Sequence, residues 1–161
     1  MAPKQQPGKS KQDYQTPPEF LNAVKKLLEI DDFSIDLAAD ASNTVCRKYY
    51  DLNYDSLKRS GDWVNKGWNW CNPPYAKIKP WVSKAWSEAL LGAKTAMLLP
   101  AGVGSNWWAD HVHSRAHVIF FRPRLKFVGH IHLYPKDLAL LLYNNSDDLG
   151  FETTYSLWKW K

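Results

Sequence analysis

Four consecutive residues, Asn72-Pro73-Pro74-Tyr75, carry the densest chemistry in the chain. They follow Trp68-Asn69-Trp70-Cys71, an apolar stretch that reads as a strand halted by the two prolines. At average residue usage, Asn-Pro-Pro followed by an aromatic arises in roughly one chain in a thousand of this length. A plain rigid turn leaving a sheet would need neither the Asn nor the ring. Asn72 offers a side-chain carbonyl as acceptor. Pro73 offers a backbone carbonyl whose direction is fixed, because the pyrrolidine ring locks φ. Two fixed acceptors match the two hydrogens of an exocyclic amino group, and they draw its lone pair out of conjugation toward an electrophile. Tyr75 adds a ring face on which a nucleobase can stack, an interaction of about 1–3 kcal/mol per base.

Such a bend must be placed by a sheet, and the rest of the chain supplies one. The 161 residues suffice for one domain, and 45% hydrophobic residues exclude a disordered chain. Thr16-Pro17-Pro18-Glu19 reads as a helix start with Thr16 as N-cap, and Phe20, Val24, Leu27 and Leu28 share a face of a helix running to about Glu29. Phe33–Ala38 alternates as a short strand. Residues 39–67 are polar, with a short helix or loop expected around Asn43–Arg47, a brief strand near Tyr49-Tyr50 and a turn at Ser60-Gly61-Asp62. A helix is expected over 78–91, a buried strand at Thr95–Leu99 and a short helix at Asn106–His113. Further strands are expected at His117–Phe121, Leu125–Val128, Leu138–Tyr143 and within 151–160. Strands alternating with helices predict an α/β sheet with an antiparallel end after residue 117. Residues 1–14 form a basic arm in this reading, and 15–161 a single domain. In an open α/β sheet ligands bind at the carboxyl ends of strands, where Asn72–Tyr75 would sit.

Lys and Arg number 21 against 16 Asp and Glu, a net charge of +5 that permits a polyanionic partner. The longest apolar runs are far too short to span a bilayer, and residues 1–12 do not read as a secretory signal. The two cysteines, Cys46 and Cys71, point to reduced thiols in a cytoplasm. Residues 111–136 hold Arg115, Arg122, Arg124, Lys126 and Lys136 and no acidic residue. On a strand, Arg122, Arg124 and Lys126 would share a face, the footprint expected for phosphates. Trp107 and Trp108 are either core or a surface for bases, with Trp107 taken as the DNA-facing one. The pairs His111/His113 and His130/His132 make a metal site conceivable, but no Cys or carboxylate cluster joins them.

The segment around Asn72 resembles the catalytic motif of amino-methylating DNA methyltransferases that use S-adenosylmethionine. More narrowly, the chain is similar to the small Dam-like adenine methyltransferases of bacteriophages and prophages over about residues 15–143. The likeness rests on Thr16-Pro17, Asp36-Leu37-Ala38-Ala39, Asn43, Cys46, Tyr50, Asp55, Cys71–Tyr75, Trp81, Leu98-Leu99-Pro100-Ala101, Trp107-Trp108 and Arg124-Leu125-Lys126-Phe127. It implies a compact Rossmann-like methyltransferase sheet with helices on both faces. It also implies a mechanism. Adenine is extruded from double-stranded DNA, stacks on Tyr75 and donates to Asn72 and Pro73, and its amino nitrogen takes the methyl group of S-adenosylmethionine, leaving S-adenosylhomocysteine. Pro74 completes the motif, and Cys71 is expected as a small buried residue.

For the cofactor, the resemblance points first to Asp36 with Ala38, where small residues admit close backbone approach. Thr16 and Pro17 come second, since this helix start lies against the cofactor in the family, and Asp51 or Asp55 third, as acceptors for ribose hydroxyls or the adenine amine. Gly102-Val103-Gly104 is half of a dinucleotide fingerprint, with Trp107 at the third glycine position. No metal, membrane or obligate protein partner is expected, and a phage-encoded enzyme would work in the host cytoplasm. A cytosine N-4 or RNA methyltransferase, and a silent nucleic-acid-binding module of the same fold, are the alternatives; Asn rather than Ser at position 72 favours adenine.

Overall fold

Two core layers form because the central strands alternate buried side chains to both faces of one sheet. A computed structural model describes residues 14–145 and 154–161. The elements run α1 (Pro18–Leu27), β1 (Trp68–Cys71), α2 (Lys79–Leu90), β2 (Lys94–Pro100), α3 (Asn106–His111), β3 (His117–Arg122), β4 (Leu138–Asn144) and β5 (Tyr155–Lys159). The sheet order is β1-β2-β4-β3-β5. β1 and β2 are parallel, β4 is antiparallel to both β2 and β3, and β5 is parallel to β3. The expected antiparallel end therefore holds for β3 and β4, while β5 reverses it.

On one face, Ala96, Leu98, Leu138 and Leu140 pack with Phe20, Leu21 and Val24 of α1. On the other, Met97, Leu99, Ala139 and Leu141 pack with Val82, Ala85 and Ala89 of α2 and with Trp108 and Val112 at α3. Helices thus cover both faces. Burying strands of this kind on two sides explains why β2 and β4 read as continuous apolar runs.

Several local expectations change. Pro17, not Thr16, caps α1, and no side chain caps the helix; Thr16 is buried and its hydroxyl turns to Asn72 instead. Phe33–Ala38 forms no full strand. Asp36 makes single parallel bridges to Tyr49 and Trp70, and that stretch is held by Ser34 N–H to the Trp68 carbonyl and Leu37 N–H to the Trp70 carbonyl. Of the short helix or loop expected around Asn43–Arg47, the loop forms. Leu125–Val128 lies outside the sheet, although its alternation survives, with Leu125 and Phe127 buried and Lys126 exposed. The expected arm falls largely on residues 1–13, and part of the last strand on 151–153; both lie outside the described residues. Among the described residues no helix is long and apolar enough to cross a membrane.

The long segment 39–67 is fastened by side chains. Buried Glu88 on α2 accepts from the backbone N–H groups of Gly61 (2.7 Å) and Trp63 (3.1 Å) and pairs with Lys84. Trp63, fully buried, donates its indole N–H to Ser56. Tyr50 and Tyr54 both donate to Asp62 and stack 4.0 Å apart. This clamp holds the loop against the α2 face.

Candidate active site

The site begins where two neighbouring parallel chains end. Asp36 bridges Trp70, and two residues beyond Trp70 the chain bends at Asn72. Both side chains line one cavity of about 340 Å³, together with Tyr14, Thr16, Ala38 and Asn43. A second cavity of about 610 Å³ shares Ala38, Asp40 and Asn43 with it and is walled by Leu52, Asp51, Asp55, Pro74 and Trp81. Their sizes fall in the range of small-molecule sites.

Asp36 is 3% exposed. Its carboxylate accepts from the N–H groups of Val45 (3.0 Å) and Ala38 (3.3 Å). Burial outweighs those two bonds and pushes its pKa up to about 6. A buried carboxylate of this kind can accept a cation. Asp51 and Asp55 turn their carboxylates to local backbone, accepting from Asn53 and Tyr54 and from Leu57 respectively. They still border the second cavity. Thr16 lines the first cavity, whereas Pro17 is buried beside it as the helix cap.

At the bend, the Asn72 amide donates to the Tyr14 carbonyl and to Thr16 Oγ1 (3.1 Å). That orientation leaves Asn72 Oδ1 as an acceptor, and here it accepts from the Tyr75 hydroxyl at 2.9 Å. Burial, with Tyr134, Cys71 and Tyr14 nearby, raises the Tyr75 pKa well above its usual value, so the phenol keeps the proton it donates. Tyr75 is not an open ring face. Tyr14 stacks on it at 5.7 Å and 20°, and Tyr134 meets its edge at 6.0 Å. Phe127 and His130 extend this aromatic group through Tyr14. Pro73 is buried and Pro74 half-buried. Cys71 is fully buried, and its thiol pKa is raised by that burial.

Tyr14 is the residue that sequence reasoning misplaced, by assigning it to the arm. It is the last aromatic before Thr16-Pro17, and its carbonyl and ring both serve the bend. Tyr134 carries no signal in the sequence for its place against Tyr75, and His130, read only as half of a His-x-His pair, reaches Tyr14 because the folded loop brings it there.

The cationic residues divide. Arg122 and Lys126 are exposed. Arg124 is exposed too, but its guanidinium is engaged by Asp137 (2.9 and 3.0 Å) and the Pro135 carbonyl. Trp107 lies against Gly102, where an added Cβ would sit 2.5 Å from its ring. It packs against the α2-side core rather than standing free. Gly102–Gly104 do not border the two cavities. His111 falls on the last turn of α3, and His130 and His132 on the loop after Phe127, so neither pair is carried by a strand.

The sheet, with reversed β4 set between β2 and β3 and helices on both faces, is an open α/β sheet of mixed strand direction. The sequence narrows this further: residues 4–135 match the profile of the DNA N-6-adenine-methyltransferase (Dam) family, and the chain belongs to that family. A DNA N-6-adenine-methyltransferase of Escherichia phage T1 is 32% identical over 94 residues, covering 58% of this chain and 38% of that protein. One of Haemophilus phage HP1 is 29% identical over 99 residues, covering 60% of this chain and 56% of that protein. The matches thus span well under two-thirds of either relative. Among solved structures, a protein described as a predicted O-methyltransferase from Agrobacterium tumefaciens overlays at TM-score 0.39 and 15% identity, covering 91% of this chain and 65% of that one.

Proposed function

We propose that the protein methylates the exocyclic amine of adenine in DNA, with S-adenosylmethionine as donor. The observation that carries this reading is that a buried carboxylate, Asp36, and an amine-binding acceptor, Asn72, line the same cavity.

The residues present suit the cofactor's three parts. Asp36 faces a cationic amino-acid end, with Thr16 and Asn43 beside it. Asp51 and Asp55 serve as ribose acceptors, and Leu52, Pro74 and Trp81 give apolar walls for a flat ring. When bound, S-adenosylmethionine supplies an activated methyl group. The chain's own part is positioning and electrostatics. Asn72 Oδ1 and the Pro73 carbonyl take the two amine hydrogens and fix the nitrogen lone pair. To reach Oδ1 the amine replaces the Tyr75 hydroxyl, and to stack on Tyr75 the base displaces Tyr14, so base capture and rearrangement of these two rings are one event. The base must be extruded, because its amine lies inside the stack of a duplex. Arg122 and Lys126 neutralise phosphates near the site, with Arg124 held in reserve by Asp137.

Incubating the protein with labelled S-adenosylmethionine and unmethylated double-stranded DNA, followed by nucleoside mass spectrometry, tests this directly. N-6-methyladenine is the expected product. N-4-methylcytosine would change the substrate, and no labelled nucleoside would refute the activity.

A further inference from the structure

The loop between Phe127 and Pro135 has a shape the proposed site leaves unexplained. Its inner side chains, Phe127, His130 and Tyr134, pack around Tyr14 and so against the bend. Three of its outer side chains are apolar and stand in water, with exposed His132 between two of them: Ile131 is 84% exposed, Leu133 55% and Val128 43%. Residues of both sets line a cavity of about 550 Å³. Single exposed apolar residues need no explanation. Three within six residues, at the rim of a base-binding site, do. The loop is anchored at both ends, by Val128 N–H to the Gln15 carbonyl (3.0 Å) and Tyr134 N–H to the Leu125 carbonyl (2.7 Å). Gly129 turns it with φ +77°, a conformation that side-chain-bearing residues rarely adopt.

Charge decides what this tip meets. Residues 122–136 contain Arg122, Arg124, Lys126 and Lys136; Asp137, the next residue, pairs with Arg124, which leaves Arg122, Lys126 and Lys136 as the flanking cations. An apolar point flanked by exposed cations, beside acceptors for a base amine, complements a duplex: phosphates on the flanks and a base stack at the centre. Proteins that open a base step insert apolar side chains of this kind into it. We infer that Ile131 and Leu133 form a wedge that enters the DNA stack at the step vacated by the target base, holding the duplex open while the base occupies the site. The inference rests on the proposed reading that the bend receives a nucleobase. It adds the residues that pay for extrusion, which the Asn72–Tyr75 segment does not contain.

The test uses the full chain and the I131A/L133A double variant, with thermal melting and cofactor affinity as controls for folding. A closed circular plasmid is relaxed by a topoisomerase in the presence of protein, then stripped of it. Insertion untwists the duplex, so wild type lowers the linking number and I131A/L133A does not. Methyl transfer to duplex DNA falls by about tenfold or more in the same variant. The volume-conserving I131M/L133M variant restores both readouts. An unchanged linking number with wild type, or full unwinding by I131A/L133A, overturns the wedge, whatever the transfer assay shows. Absence of methyl transfer by a wild type that unwinds the plasmid refutes the proposed activity and leaves the wedge standing.

Discussion

Asp36→Asn separates what a buried carboxylate does for a ligand from what it does to the fold. In the free protein its pKa stands at about 6 against an ordinary 3.8, because burial outweighs the Val45 and Ala38 N–H bonds. That rise corresponds to about 3 kcal/mol in favour of the protonated form. Between pH ~4 and ~6 the folded state keeps a proton that the unfolded state has released, so stability falls as pH rises. The contribution is complete below about pH 4 and lost above about pH 6. Asparagine keeps the shape and abolishes the titration. It also exchanges one oxygen for an NH2 group, leaving either Val45 or Ala38 N–H without its acceptor, at a pH-independent loss of about 1–3 kcal/mol. Urea unfolding of wild type and D36N from pH 4 to 8 should therefore show a stability difference that drifts by about 3 kcal/mol, with the variant gaining on wild type as pH rises. The other carboxylates cancel in that difference. In parallel, S-adenosylmethionine affinity of wild type should rise with pH up to about 6 and then level off, and D36N should bind about tenfold or more weakly. A stability difference independent of pH, or cofactor affinity indifferent to the substitution, would refute the assignment of Asp36 as a buried cation receptor.

Asn72→Ala should lower the rate of methyl transfer by about 10²–10³-fold, as loss of a preorganised charge-stabilising group does, while calorimetry shows cofactor affinity largely kept. Tyr75→Phe removes the hydroxyl that occupies Asn72 Oδ1 but keeps the ring, so steady-state transfer should persist; Tyr75→Ala should lose about 1–3 kcal/mol of base binding, read in DNA affinity. Replacing Arg122 and Lys126 together by Ala should reduce the salt dependence of DNA binding by about two in logarithmic slope. Arg124→Ala should change that slope less, because Asp137 already holds the guanidinium.

The strands that pack on both sides were readable because their signal is local. Thr95–Leu99 and Leu138–Tyr143 are apolar runs ended by proline or polar residues, and each became a central strand. The bend was readable for a different reason: Asn72 and the prolines have no common structural use in that order. What stayed hidden depends on distant partners. Glu88 fastens Gly61 and Trp63 from 27 and 25 residues away, so the course of 39–67 is written on α2 rather than in its own composition. Thr16 has the form of an N-cap, but its hydroxyl accepts from Asn72, 56 residues on. Leu125–Val128 alternates as a strand should, yet it lies outside the ladder, and alternation alone reports burial rather than hydrogen bonding. Tyr14 looked like the end of a basic tail because nothing near it in sequence shows that Tyr75 lies under its ring.

The bridge between Asp36 and Trp70 has a mechanical consequence. Leu37 N–H bonds to the Trp70 carbonyl and Trp70 N–H to the Ile35 carbonyl, both at 2.9 Å. Adjacent strands lie about 4.8 Å apart, and each residue advances about 3.3 Å along its strand. The interval between carboxylate and amide is thus measured out by main chain, one rung across and two steps along. The sheet acts as a ruler whose graduations hold for substitutions that keep the Leu37 and Trp70 N–H groups. Loops around it can vary in length and composition without disturbing the spacing between Asp36 and Asn72.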